Sequence, residues 1–221
     1  MSLNVVVIGA NRGIGLEFCK QYVSSGNHVT AVCRQASSEL NAINCDVIEN
    51  IDVTDQASVN TIAEQLNIKH IDILIHNSGI LHSDSYPNVS LDEMKLHFDV
   101  NTLGPLRTIQ ALESRLKAGS KVGIVSSRVG SIDDNTSSNN YAYRVSKTAV
   151  NMLGKCLSID LAPKKIALAL LHPGYVRTDM THGNGLIEAD EAAVGLITQM
   201  QKLDMSSTGM FVHTSGERLT W

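Results

Sequence analysis

The sequence predicts an α/β fold: a single domain built on a doubly wound parallel sheet of about seven strands, with helices on both faces. Two observations carry this. Short apolar runs rich in Val, Ile and Leu alternate along the whole chain with longer segments of helical spacing. Glycine and turn signals punctuate them, and no linker, repeat or composition shift divides residues 1–221. At 221 residues, 43% of them hydrophobic, the chain suits one substantial core.

Composition excludes several function classes. A net charge of −4 and a pI near 6.0 give no basic field for nucleic acid. Cys19, Cys33, Cys45 and Cys156 form no Cys-x-x-Cys and read as reduced packing residues. The apolar run 5–8 is too short for a signal-peptide core or a membrane span, so a soluble, cytoplasmic protein without membrane contact is expected. The eight histidines show no metal-ligand spacing, and His172 and His213 each close a predicted strand, so no metal is expected.

In chain order, residues 3–8 read as a buried strand and 14–25 as an amphipathic helix. Between them lie Gly9, Ala10, Asn11, Arg12, Gly13, Ile14 and Gly15. Glycines there let the backbone turn sharply and approach a ligand, and the free N–H groups at the helix start attract a pyrophosphate. This stretch therefore predicts a dinucleotide cofactor. Gly26 ends the helix, and a second strand, 28–33, delivers Arg34 to the place where NAD sites carry an acidic residue. An arginine there accommodates a 2′-phosphate, and Arg12 adds a second positive group, so NADP(H) is favoured over NAD(H).

A third strand over 46–51 ends at Asp52 and Val53, which should border the adenine; a helix follows from Asp55, with Val59, Ile62 and Leu66 on its apolar face. The fourth strand, 71–75, runs into His76, Asn77, Ser78 and Gly79 at the carboxyl edge of the sheet, where Asn77 is expected to brace the loop beside the cofactor. After a polar loop at 80–90, residues 91–116 read as helix with a break at Gly104 and Pro105. Asn101 precedes that break, where freed carbonyls can bind water. Leu106, Ile109, Leu112 and Leu116 read as core or subunit interface.

The fifth strand, 121–126, ends in Ser126 and Ser127, and the apolar-poor stretch 131–140 reads as a mobile loop beside the site. A helix over 141–161 is expected to bury Val145, Ala149, Met152, Cys156 and Ile159. It also places Tyr143 and Lys147 four residues apart on one face. A phenol titrates near pH 10, and a neighbouring ammonium favours its ionised form. The sixth strand, 166–171, leads to the Pro173–Gly174 turn and on to Val176 and Thr178; a helix at 188–203 and a strand at 209–213 complete the alternation.

Gly9, Gly13 and Gly15, then Asn77-Ser78-Gly79, Asn101, Ser127, Tyr143, Lys147 and Pro173-Gly174, all in one order, resemble the short-chain dehydrogenase/reductases over essentially the whole length. More narrowly, the run from Pro173 to Met180 and the tail from Gly209 through Gly216 to Trp221 resemble the C-factor and sniffer-like carbonyl reductases. The resemblance implies an NADPH-dependent reductase of aldehydes or ketones. Tyr143 would be the acid toward the substrate oxygen, or the base on an alcohol. Lys147 would lower the tyrosine pKa and bond the nicotinamide ribose, Ser127 would bond the substrate oxygen, and Asn101 would hold a water in the proton path. Gly9, Asn11, Arg12, Gly13, Ile14, Gly15, Ser78, Gly79, Pro173 and Gly174 would line the cofactor. Val176 and Thr178 would meet the carboxamide, Asp52, Val53 and Asn77 the adenosine side, and Arg34 the 2′-phosphate. It also implies a homodimer or homotetramer acting on a small carbonyl or alcohol. The alternative it allows is an NADP(H)-binding signalling or redox-sensing module of C-factor type.

Departures from the family pattern fall at Ile8, His76 and Ser78, which alter the bracing between the first and fourth strand loops. Ser127 stands 16 residues before Tyr143, a long spacing for the family that keeps Ser126 as a second candidate. The segment 181–187 is short for a substrate lid, which suggests an open, permissive site.

Overall fold

The structure is a computed structural model describing residues 2–221. Its strands are β1 (Asn4–Ile8), β2 (His28–Val32), β3 (Asp46–Ile48), β4 (Ile71–His76), β5 (Leu116–Val125), β6 (Ala167–His172) and β7 (Met210–His213). Its helices are α1 (Gly13–Ser24), α2 (Ser38–Asn41), α3 (Gln56–Gln65), α4 (Leu91–Phe98), α5 (Gly104–Leu112), α6 (Tyr141–Leu161) and α7 (Ala189–Lys202). The strands form one sheet in the order β3-β2-β1-β4-β5-β6-β7, every pairing parallel.

Continuous apolar runs give this architecture because a parallel sheet must be covered on both faces. In β1, Val5 and Val7 join a core with Phe18 of α1 and Leu196 of α7. Val6 and Ile8 point the other way, into a core with Ile62 of α3, Ile109 of α5 and Val150 of α6. Strand order reverses between β1 and β4, so the loops leaving those two strands diverge and open a crevice at the carboxyl edge. That crevice is where such sheets hold ligands. Among the described residues no helix is long and apolar enough to cross a membrane.

Several elements depart from expectation. The third strand stops at Ile48 because Asn50 adopts φ 62° and its N–H turns to the Arg34 carbonyl. The long helix is not broken at Pro105, which sits in the first turn of α5 where it forfeits no hydrogen bond. Its irregularity lies just before, as a π-helical turn over Asp99–Leu103 that contains Asn101. The fifth strand starts at Leu116, with a register shift opposite Ile71 and Ile73. The loop after it, expected to be mobile, is tied down by the Arg144 guanidinium, which bonds Asn139 O, Asn135 Oδ1 and Ser137 Oγ.

The largest correction concerns α6. Val145, Met152 and Ile159 are 47%, 66% and 63% exposed, and Cys156 is exposed with them. The buried side is instead Ala142, Ser146, Lys147, Val150, Asn151, Gly154, Ser158 and Leu161. Small residues win that face because the helix lies close on the sheet: a Cβ on Gly154 would stand 2.9 Å from Leu170 Cδ2. The apolar stripe turns outward and forms one wall of a groove of about 600 Å3 beneath the loop at 131–139, away from Tyr143 and Lys147.

Candidate active site

The glycine loop is fixed by close packing against β4's outgoing loop. Gly9 has φ +82°, and a Cβ there would lie 2.6 Å from Ser78 Oγ; a Cβ on Gly15 would collide with the Gly9 carbonyl. Asn77 Nδ2 donates to the Gly9 carbonyl at 2.9 Å, while the N–H groups of Asn77 and Ser78 converge on the Ile8 carbonyl at 2.9 and 3.1 Å. Arg12, the residue before α1, gives that helix no side-chain cap. Its first N–H groups therefore point unsatisfied into the crevice. This cradle fits the pyrophosphate of a dinucleotide.

Around the cradle, Asn11 O accepts the Ser37 hydroxyl at 2.9 Å, tying the loop to the segment after β2. Arg34 stands exposed on that segment. Its charge, after hydrogen bonds from Thr54, helps hold the Asp52 carboxyl below its usual value despite partial burial. Val53 packs its side chain under Gly104, and its carbonyl accepts from the Arg107 guanidinium at 3.2 Å. The Arg12 guanidinium pairs with Asp179 at 3.1 Å, both side chains largely exposed. Ile14 is partly buried against the α1 core. Thr178 faces Gly13, whose added Cβ would meet Thr178 Cγ2 at 3.3 Å. Pro173 and Gly174 turn the chain beside it, Gly174 at φ +86°, and Val176 is buried.

The α6 residues complete the site. Lys147 is 4% exposed, donates to the Val125 carbonyl at 3.0 Å and lies 5.6 Å from the centroid of the Tyr143 ring. Burial pushes its pKa down to about 8. Tyr143 is half-buried as a residue, and burial of the phenol pushes its pKa up to about 12, against a smaller opposing effect of hydrogen bonding to Ser127. Burial thus outweighs any ionising pull of the ammonium in the cofactor-free protein.

The two serines separate cleanly. Ser126 is buried with its hydroxyl donated to Asn151 Oδ1 at 2.6 Å, whereas Ser127 faces Tyr143. Asn101 is buried and fully engaged: Oδ1 accepts the Ile80 N–H at 2.8 Å, and Nδ2 donates to Ile80 O and Ser146 Oγ, each at 3.0 Å. Its side chain fixes the loop after Gly79, so any water it holds must bind the main chain of the π turn. Ser146 and Asn151, which position Asn101 and Ser126, escaped the sequence reading. Their signal is only that polar side chains recur on the sheet-facing side of α6.

His76 sits fully buried below the crevice, and neither ring nitrogen has a hydrogen-bond partner. Burial, then the charge of Lys147, lowers its pKa to about 3, so it is neutral. Among the described residues one cluster has metal-ligand chemistry, His82, Glu93 and His97. It is committed internally: His97 Nε2 accepts the His82 N–H at 3.0 Å, and Nδ1 lies 2.8 Å from the Glu93 carbonyl.

Comparison with known proteins agrees with this geometry. The family model described as short chain dehydrogenase matches residues 3–186. The chain is 39% identical to the 1-hydroxy-2-glutathionyl-2-methyl-3-butene dehydrogenase of Rhodococcus sp. (strain AD45), over 98% of this chain and 99% of the relative. It is 35% identical to the C-signal protein of Myxococcus xanthus, over 68% of this chain and 93% of the relative. The NADPH-bound carbonyl reductase from chicken fatty liver superposes with a TM-score of 0.90 at 29% identity, covering 100% of this chain and 99% of that one.

Proposed function

The chain belongs to the short chain dehydrogenase family, and from that premise we propose that it reduces an aldehyde or ketone to an alcohol with NADPH. The observation that carries the reading is the placement of the Tyr143 phenol beside Ser127 and Lys147, next to the glycine cradle. Gly9, Asn11, Gly13, Ile14, Gly15, Asn77 and Gly79 would hold a nicotinamide cofactor, which would supply the hydride. Tyr143, with a pKa near 12, holds its proton at neutral pH and donates it from Oη to the substrate oxygen as charge develops there. The Ser127 hydroxyl donates a second hydrogen bond to that oxygen. Lys147 stabilises the phenolate left behind and takes part in returning its proton; it also holds the nicotinamide ribose. Asn101 fixes the loop wall through Ile80 and holds Ser146.

Arg34 supports NADP(H) over NAD(H), in keeping with the NADPH held by the chicken reductase. The Rhodococcus relative is named for dehydrogenation of a hydroxy compound, consistent with the same CH–OH/C=O chemistry. The shortness of the segment 181–187, which packs back on residues 175–178, supports a permissive carbonyl site. Ile109 and Leu112 lie in the core, whereas the outward apolar stripe of α6 supports a homodimer or homotetramer through that helix. Loss of NADPH absorbance over an aldehyde and ketone panel, run beside Tyr143→Phe, tests the reading: activity in the wild type alone upholds it, and equal rates or equal inertness refute it.

The similarity to C-signal favours one second reading, an NADP(H)-binding signalling module. A partner-dependent phenotype that survives Tyr143→Phe and disappears with Gly13→Asp would select it.

A further inference from the structure

The helix that carries Tyr143 begins without a cap of its own. Asn140, the residue before α6, makes no side-chain capping bond, and the first turn holds no acidic residue. Asn139 and Asn140 both stand in the left-handed region, at φ 77° and 53°. Because left-handed Asn140 is followed by helical Tyr141, the successive N–H groups of residues 140–142 turn to one side and form a concave, positively polarised nest. A single residue from a distant loop fills it. Asp84 O accepts the Asn140 N–H at 2.8 Å, Asp84 Oδ1 the Tyr141 N–H at 2.5 Å, and Asp84 Oδ2 the Ala142 N–H at 3.1 Å.

The loop bearing Asp84 is itself anchored to the site. Ile80 is held by the Asn101 side chain, with bonds of 2.8 and 3.0 Å, and the His82 N–H by His97 Nε2 at 3.0 Å. The strap from residue 80 to residue 84 thus runs from the π turn, past α4, to the start of α6. Tyr143 is the third residue of the helix so capped. We propose that Asp84 is a positioning residue: by capping α6 from outside, it fixes the first turn and aims the Tyr143 phenol, coupling the substrate-side loop to the proton donor.

The charge chemistry is right for the place. A carboxylate bonded to two helix N–H groups complements the positive end of α6, and an amide at residue 84 retains a single acceptor oxygen. A graded series therefore separates aiming from mere folding. The catalytic part rests on the carbonyl-reductase reading, so the test has one arm that does not use turnover. Amide exchange by NMR on the full chain should show Tyr141 and Ala142 exchanging at least tenfold faster in Asp84→Ala, with the sheet amides of β1 and β4 unchanged. In the same variant kcat should fall roughly 3- to 30-fold, the range a helix cap sustains, with KM for NADPH unchanged and Asp84→Asn lying between. Unchanged exchange at Tyr141 and Ala142 overturns the proposal. So does a folded Asp84→Ala with wild-type kcat, or equal losses in Asp84→Asn and Asp84→Ala. A wild type inert on every carbonyl would refute the reductase reading while the exchange arm still reports on the cap.

Discussion

Replacing Lys147 with methionine should make the cofactor-free protein more stable while abolishing its activity. The Lys147 pKa falls from 10.5 to about 8 because its ammonium is buried. At about 1.4 kcal/mol per tenfold, that corresponds to roughly 3 kcal/mol of destabilisation while the group is charged. The direction follows from proton counting. Below pH 8 the lysine is protonated in both folded and unfolded chains, and only the folded chain bears the desolvation. Between pH 8 and 10.5 the unfolded chain binds more protons, so stability rises with pH; above 10.5 the cost has gone. Methionine keeps an unbranched apolar side chain but leaves the Val125 carbonyl without its donor, at a cost of about 1 kcal/mol. The net expectation is a variant about 2 kcal/mol more stable at pH 7, the advantage vanishing at about pH 10. At still higher pH the wild type, whose neutral amine still serves the Val125 carbonyl, is the more stable by about 1 kcal/mol. Cys19, Cys33, Cys45 and Tyr22 are pushed up by burial and lose stability in the alkaline range, but they do so in both proteins and cancel in the difference. Urea unfolding of both proteins at pH 7, 8.5 and 10 measures it. A methionine variant less stable at pH 7, or a difference that ignores pH, would refute the reasoning.

The two serines should part company: Ser127→Ala is expected to cut kcat at least tenfold, whereas Ser126→Ala, which strips Asn151 of a partner, costs about 1 kcal/mol in unfolding free energy and leaves kcat within twofold. Arg34→Asp should move the NADPH/NADH ratio of kcat/KM toward NADH by tenfold or more; an unmoved ratio removes the basis for the cofactor choice. His76→Leu exchanges two unpartnered buried nitrogens for hydrocarbon and should add about 1–2 kcal/mol at pH 7. Because the imidazole pKa is lowered from 6.5 to about 3, the unfolded chain binds more protons in that interval, and the leucine variant's advantage should grow as pH falls below 6.5. A loss of stability on unfolding would show that the ring has a partner.

The sheet was legible because its strands centre on short apolar runs closed by turns, and the candidate site because its residues sit at strand ends and on one helix face. The close packing at Gly9 and Gly15 and the bracing bond of Asn77 follow from residue type, since a tight loop at a strand end needs glycine and a bracing amide. The facing of α6 was not legible. Its apolar stripe from Val145 to Ile159 obeys helical spacing, yet Gly154 and Ser146 win the buried side because the helix approaches the sheet too closely for large side chains. The π turn at Asp99–Leu103 was hidden because Pro105 marks a helix start as readily as a break. Asp84 lay beyond reach for a different reason: its partners are 57 and 58 residues away, and nothing local marks an aspartate that caps another segment. Nor does sequence say which of two adjacent serines faces outward when the end of the strand sets the alternation.

Transfer of label from NADPH deuterated on the nicotinamide ring to a carbonyl substrate tests the central claim most directly. The wild-type protein should produce an alcohol carrying deuterium on the former carbonyl carbon, and Tyr143→Phe should bind NADPH as tightly yet transfer label at least a thousandfold more slowly. Label transfer at the wild-type rate by Tyr143→Phe would contradict the account.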